Sequence, residues 1–134
     1  MSPTARSLKL LRSWGYVADI CERWVPHVNI RRDLFGGFDL IGVNVAERQT
    51  WLVQCTSLGN LSSRVKKIRS LPVTGDLLRG GLILECWGWS QRENGGKWQV
   101  KRVRLEGDAF DPVEQANKRR RVKRMEQATL FSES

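Results

Sequence analysis

Arg32-Asp33-Leu34-Phe35-Gly36-Gly37-Phe38-Asp39-Leu40-Ile41-Gly42, then Trp51-Leu52-Val53-Gln54-Cys55-Thr56-Ser57, then Arg64-Val65-Lys66-Lys67-Ile68: these three pieces decide how the chain is read. In the first, a glycine turn at Gly36-Gly37 hands an acid, Asp39, to the start of an apolar run. The second is another apolar run, interrupted by two polar residues two positions apart. Side chains alternate faces along a strand, so Gln54 and Thr56 share one face while Val53 and Cys55 share the other. Unpartnered polar groups inside such a strand cost free energy, so Gln54 and Thr56 are expected to have a purpose. The third piece belongs to a helix from about Asn60, whose inner stripe is Leu61, Val65 and Ile68. On that wheel Arg64 and Lys67 flank one edge of the stripe, Arg69 flanks the other, and Lys66 points away.

Upstream, Leu8, Leu11 and Trp14 recur at helical spacing and predict an amphipathic helix over about Arg6 to Trp14, ended by Gly15. Tyr16 to Trp24 reads as a first strand closed by Pro26, and Phe38 to Val45 as a second. A polar turn over Asn44 to Thr50 joins the second strand to Trp51–Thr56 in a hairpin. Arg31 and Arg32 precede the glycine turn and are expected at the rim of a cleft, as phosphate clamps or as a solvated loop. Downstream, Leu71-Pro72 stops the basic helix, and Leu82 to Ser90 reads as a strand with Trp87 and Trp89 on one face. A loop with Asn94-Gly95 returns the chain through Trp98–Leu105, a strand carrying Lys101, Arg102 and Arg104. The tryptophans are expected as core. Gly107 to Pro112 breaks the chain, and Asp111-Pro112 reads as a helix start. The expected organisation is one α/β domain over residues 1–110 and a basic tail, partly disordered or helical, over residues 111–134.

The 134 residues suit one domain with a real core. Lys and Arg outnumber Asp and Glu by 23 to 14, a formal charge of +9. Residues 112–134 hold six basic and three acidic residues, so +6 of that charge stays on the body. A basic body with a more basic tail suits a polyanion, above all nucleic acid. Lys118, Arg119, Arg120, Arg121, Lys123 and Arg124 concentrate the charge of the tail. Cys21, Cys55 and Cys86 show no Cys-x-x-Cys spacing and sit in apolar runs, which fits small buried side chains in a reducing compartment. With a single histidine, His27, serine-triad, Cys-His and His-based zinc chemistry have little to work with. No signal peptide is read at the start, and no apolar run nears the roughly 20 residues of a membrane span. The expected location is the cytoplasm, or a host's cytoplasm for a phage-encoded chain.

The glycine turn with Asp39, the strand with a spaced polar pair and the basic helix after it resemble the PD-(D/E)xK nuclease superfamily. The order is most similar to small phage and archaeal Holliday-junction-resolvase-like proteins, over roughly residues 5 to 105. The resemblance implies a restriction-endonuclease-like core, with a mixed central sheet flanked by helices, and a metal-dependent DNA endonuclease acting on branched or junction DNA. Mg2+ or Mn2+ would be held by Asp39, Gln54, the carbonyl of Cys55 and, with its loop folded inward, Asp33. Gln54-Cys55-Thr56 stands where the family usually has Glu-x-Lys, so the site carries one negative charge fewer and Thr56 cannot supply the lysine's charge. Lys67, or Lys66 as the lesser choice, would reach in from the following helix. The first helix lacks the acid that relatives often place there, leaving Asp19, Glu22 or Asp33 to substitute. Arg31, Arg32, Arg64, Lys66 and the tail's basic run would hold DNA. Junction resolution would require a symmetric dimer. Two other readings stay open: a nuclease-fold binding module without efficient chemistry, and an unrelated basic protein of a nucleoprotein particle.

Gln127-Ala128-Thr129-Leu130-Phe131 closes the chain but for three residues. It resembles the motif by which bacterial DNA-processing proteins dock on the sliding clamp. Leu130 and Phe131 would be the apolar anchors and Gln127 the hydrogen-bonding end. Packing of this segment on its own domain is the alternative.

Overall fold

Helix α1 (Pro3–Ser13) starts where Ser2 accepts the Ala5 amide on its hydroxyl at 3.1 Å, with Pro3 opening the first turn. Gly15, at φ +85°, then reverses the chain into the first strand. The strands are β1 (Val17–Ile20), β2 (Arg23–Val25), β3 (Ile30–Arg32), β4 (Leu40–Asn44), β5 (Gln49–Ser57), β6 (Ile83–Gln91) and β7 (Trp98–Leu105). Helices α2 (Leu61–Ser70) and α3 (Thr74–Arg79) lie between β5 and β6. The structure, a computed structural model, describes residues 1–21, 23–28 and 30–106.

Five strands form one mixed sheet in the order β1-β4-β5-β6-β7. All neighbours are antiparallel except β5 and β6, which run parallel and so need the crossover that α2 and α3 provide. Alternation sorts the core into two layers. Leu11 of α1 packs with Ala18, Leu40, Trp51, Val53, Cys55, Trp87 and Trp89 on one face. Leu61, Val65 and Ile68 of α2 pack with Phe38, Leu52, Leu84, Cys86 and Leu105 on the other. The described chain is therefore a single α/β domain with its sheet between helices, and the α2 stripe is the one expected from helical spacing.

The first strand is shorter than its sequence suggests. The Cys21 amide gives its hydrogen bond to the Asp39 carbonyl at 2.8 Å, and beyond that point β4 has no backbone to offer because the glycine turn precedes it. Backbone groups need partners, so Arg23–Val25 pairs instead with Ile30–Arg32 in a separate two-stranded hairpin. Arg31-Arg32 is accordingly a strand rather than a loop. Trp24, half exposed, marks this hairpin as standing off the core. Helix α3 carries no helical stripe and went unread; the Thr74 hydroxyl ties its start to the Ile68 carbonyl at 2.6 Å. Trp51, Trp87 and Trp89 are buried as expected, whereas Trp14, Trp24 and Trp98 are exposed.

The domain boundary near residue 110, the helix start at Asp111-Pro112, the basic run of Lys118, Arg119, Arg120, Arg121, Lys123 and Arg124, and the Gln127, Leu130, Phe131 motif all lie outside the described residues, as does Glu22. Among the described residues no helix is long and apolar enough to cross a membrane.

Candidate functional site

The turn before β4 is built tightly. Leu34 and Phe38 exchange backbone hydrogen bonds at 2.9 and 3.0 Å, the Gly36 amide reaches the Asp33 carbonyl at 3.0 Å, and the Gly37 amide reaches that of Leu34 at 3.1 Å. Phe35 and Gly36 both take positive φ, +56° and +78°. Gly37 lies flat on α2: a Cβ there would sit 2.4 Å from Ile68 Cδ1 and 2.7 Å from Leu71 Cδ1. The turn thus seats on the helix and delivers Asp39 to the sheet at a fixed height, its amide bonded to the Val53 carbonyl at 2.9 Å.

Asp39 is buried, and its Oδ2 accepts two hydrogen bonds from β5: from Gln54 Nε2 at 2.7 Å and from the Cys55 amide at 2.8 Å. Gln54 Nε2 also lies 3.3 Å from the Cys55 carbonyl. Asp39, Gln54 and the main chain of Cys55 therefore converge across 15 residues of sequence. The other end of the Gln54 amide, Oε1, is buried with no hydrogen-bond partner. Such an orphaned acceptor is rare in a folded interior and calls for an explanation. Thr56 is buried on the same face, two residues along β5. The Cys55 side chain points to the α1 layer, so this residue can offer the site only its backbone.

Asp33 follows β3 and precedes the glycine turn. It lines an open cleft of about 500 Å³ with Arg32, Phe35, Gly36 and Lys67. Lys67 thus projects from α2 towards the glycine turn, and Arg32 lines the same cleft. Cys21 lies within electrostatic reach of both carboxylates: burial pushes its thiol up to about 11, with the negative charges of Asp39 and Asp33 adding to the effect. Cys86, the β6 neighbour of Gln54, is pushed up to about 12 by burial. The Arg69 and Arg64 guanidiniums pull against that rise while Asp39 and Glu85 add to it. Lys66 is exposed. On the other flank of α2, Arg69 shares a cleft of about 240 Å³ with Ser62 and Lys101, and its Nε is buried without a partner.

Glu85 is the side chain that sequence reading missed. It is 2 % exposed and faces the α1 layer, accepting from Trp87 Nε1 at 2.8 Å and Arg104 Nε at 2.8 Å, with Arg102 Nη1 at 3.5 Å. Arg102 also lies over the Trp14 ring at 5.0 Å, and Arg104 over Trp51 at 4.9 Å. Two of the three cations counted on β7 are therefore tied to a structural anion and to aromatic rings. The one available signal was a lone acid inside an apolar strand opposite alternating arginines.

Among the described residues, no three His, Cys, Asp or Glu side chains gather closely enough to hold a metal ion. A metal at Asp39 would have to rely on neutral oxygens as well. Compared with known proteins, the chain matches no family model and has no significant match among curated proteins or solved structures.

Proposed function

We propose that the protein is a metal-dependent DNA endonuclease with a restriction-endonuclease-like core, acting on branched DNA. The observation that carries this reading is the convergence of the Asp39 carboxylate, the Gln54 amide and the Cys55 main chain beneath a basic helix. The mixed sheet between helices, with the acid on one arm of a hairpin and the polar pair on the other, supports it. With the Gln54 amide turned end for end, so that Oε1 rather than Nε2 faces Asp39 and the Cys55 carbonyl, the donor set would suit a hard divalent cation: one carboxylate, one main-chain carbonyl and one amide oxygen. Asp39, Gln54 and the Cys55 carbonyl would hold Mg2+ or Mn2+, which when bound polarises the phosphate and activates water.

The chain's own residues do the rest. The Cys55 amide holds the Asp39 carboxylate in place, and burial keeps competing water away from it. Thr56 adds no charge. Lys67 and Arg32 border the neighbouring cleft, where they balance phosphate charge. The tail's basic run adds further phosphate contacts, and Gln127, Leu130 and Phe131 would tether the chain to a bacterial sliding clamp. Cutting two opposed strands of a junction would take a homodimer.

One observation favours a second reading. Gln54 Nε2 donates to Asp39 Oδ2 at 2.7 Å and so takes up an oxygen that a metal would use, as in a binding module that has lost efficient chemistry. Labelled branched DNA separates the two. Cleavage with Mg2+ or Mn2+ but not with chelator supports the endonuclease. Binding without cleavage under either metal supports the module, and affinity should then fall by orders of magnitude between about 50 and 200 mM salt. Neither binding nor cleavage at low salt refutes both.

A further inference from the structure

Phe35 stands in a conformation and a place that nothing in the fold requires of an aromatic. Its φ of +56° lies in the left-handed region, which disfavours side chains and is usually filled by Gly, Asn or Asp. It is also 48 % exposed, so its ring contributes little to the core. The turn that carries it is rigid, closed by four backbone hydrogen bonds and seated through Gly37 against Ile68 and Leu71. The ring is therefore presented to solvent rather than left loose. It is presented at the wall of the cleft of about 500 Å³, within the roughly 300–1,000 Å³ typical of small-ligand sites. Arg32 and Lys67 border that cleft against a single acid, Asp33, leaving a net positive charge.

An exposed ring on a closed turn, lining one cleft with two cations, is the combination that single-stranded nucleic acid uses: a π-face for the base and charges for the phosphates. A base inside a duplex has both faces covered by its neighbours, so a ring on a short turn reaches only a base that is unpaired or turned out. We propose that Phe35 is a stacking platform for an unpaired nucleobase of DNA, with Arg32 and Lys67 taking the flanking phosphates. This rests on the DNA reading above and narrows it, because the preferred substrate is then one with unpaired bases at its branch point. It also gives the cleft a task separate from the chemistry at Asp39.

The test uses the full-length protein in chelator, so that cleavage does not intervene. Forked DNA carrying 2-aminopurine at an unpaired position is compared with a fully paired duplex of the same sequence. The wild type should quench the fluorophore and prefer the fork, by a factor within the roughly 5- to 150-fold that one base–aromatic stack supplies. Phe35→Ala should abolish the quenching and bring the fork-to-duplex ratio towards one, with an unchanged melting temperature showing that the fold is intact. Phe35→Trp should restore both signals. If Phe35→Ala quenches and discriminates as the wild type does, or Phe35→Trp behaves like Phe35→Ala, the stacking role is refuted while the DNA reading stands. If the wild type binds neither DNA, the DNA reading falls and the stacking role with it.

Discussion

Replacing Gln54 by glutamate tests the centre of the site without touching its packing. The side chains have nearly the same shape, but the amide nitrogen that donates to Asp39 Oδ2 at 2.7 Å becomes a carboxylate oxygen. Gln54 is 2 % exposed, so water cannot screen the two acids from each other. They would titrate as a pair, with one pKa raised above the ordinary carboxylate value. Taking roughly two units of repulsion at 1.36 kcal/mol each, the variant loses about 3 kcal/mol at pH 8 without metal. For a domain of this size that lowers the melting temperature by about 10 °C. The sign follows from linkage: the folded variant binds more protons than its unfolded chain between the ordinary pKa, about 4.3, and the raised one. Its loss relative to wild type is therefore small near pH 4, grows as pH rises through the raised value, and is flat above it. A divalent cation reverses the effect, because it binds only the folded pair; at one hundred times its Kd it returns about 2.7 kcal/mol. Thermal melts at pH 4 to 8, in chelator and in Mn2+, measure all of this. A melting temperature within about 2 °C of wild type at pH 8 in chelator, with no response to Mn2+, would show that residues 39 and 54 do not face each other.

Asp39→Asn should abolish cleavage while keeping most of the fold, since the new amide oxygen can still accept the Cys55 amide; Asp39→Ala strands two buried donors and should cost about 2–4 kcal/mol besides. Residual cleavage by Asp39→Asn near the wild-type rate would remove Asp39 from the chemistry. Gly37→Ala drives a methyl into the side-chain ends of Ile68 and Leu71 and should destabilise by about 1–3 kcal/mol, read from denaturant midpoints; a neutral result would mean that those two side chains swing aside freely and that the contact does not hold the turn tightly. Cys21 and Cys86, raised to about 11 and about 12, stay protonated at neutral pH, so thiol labelling of the native protein should be slow at pH 7.5 and should quicken, Cys21 first, as the solution is made alkaline. Rapid labelling at pH 7.5 with the fold intact contradicts the burial that sets those values.

Local periodicity carried much of this protein. Alternation along Trp51–Ser57 placed Gln54 and Thr56 on one face before any contact was known, because in a strand the face of a residue depends only on its own position. The stripe of Leu61, Val65 and Ile68 did the same for α2, and Gly36-Gly37 marked the turn that sets the height of Asp39. Tertiary structure decided what periodicity cannot encode, namely which backbone lies beside which. The run Tyr16–Trp24 looks like one strand, yet it divides at Cys21 because its partner β4 begins only at Leu40. The meeting of Gln54 Nε2 with Asp39 and the orphaning of Oε1 depend on hairpin register and side-chain torsion. The tying of Arg102 and Arg104 to Glu85 depends on β7 pairing antiparallel with β6. Asp33 shares a cleft with Lys67 because the glycine turn closes on itself and seats against α2, a long-range packing contact that no spacing within residues 31–39 records.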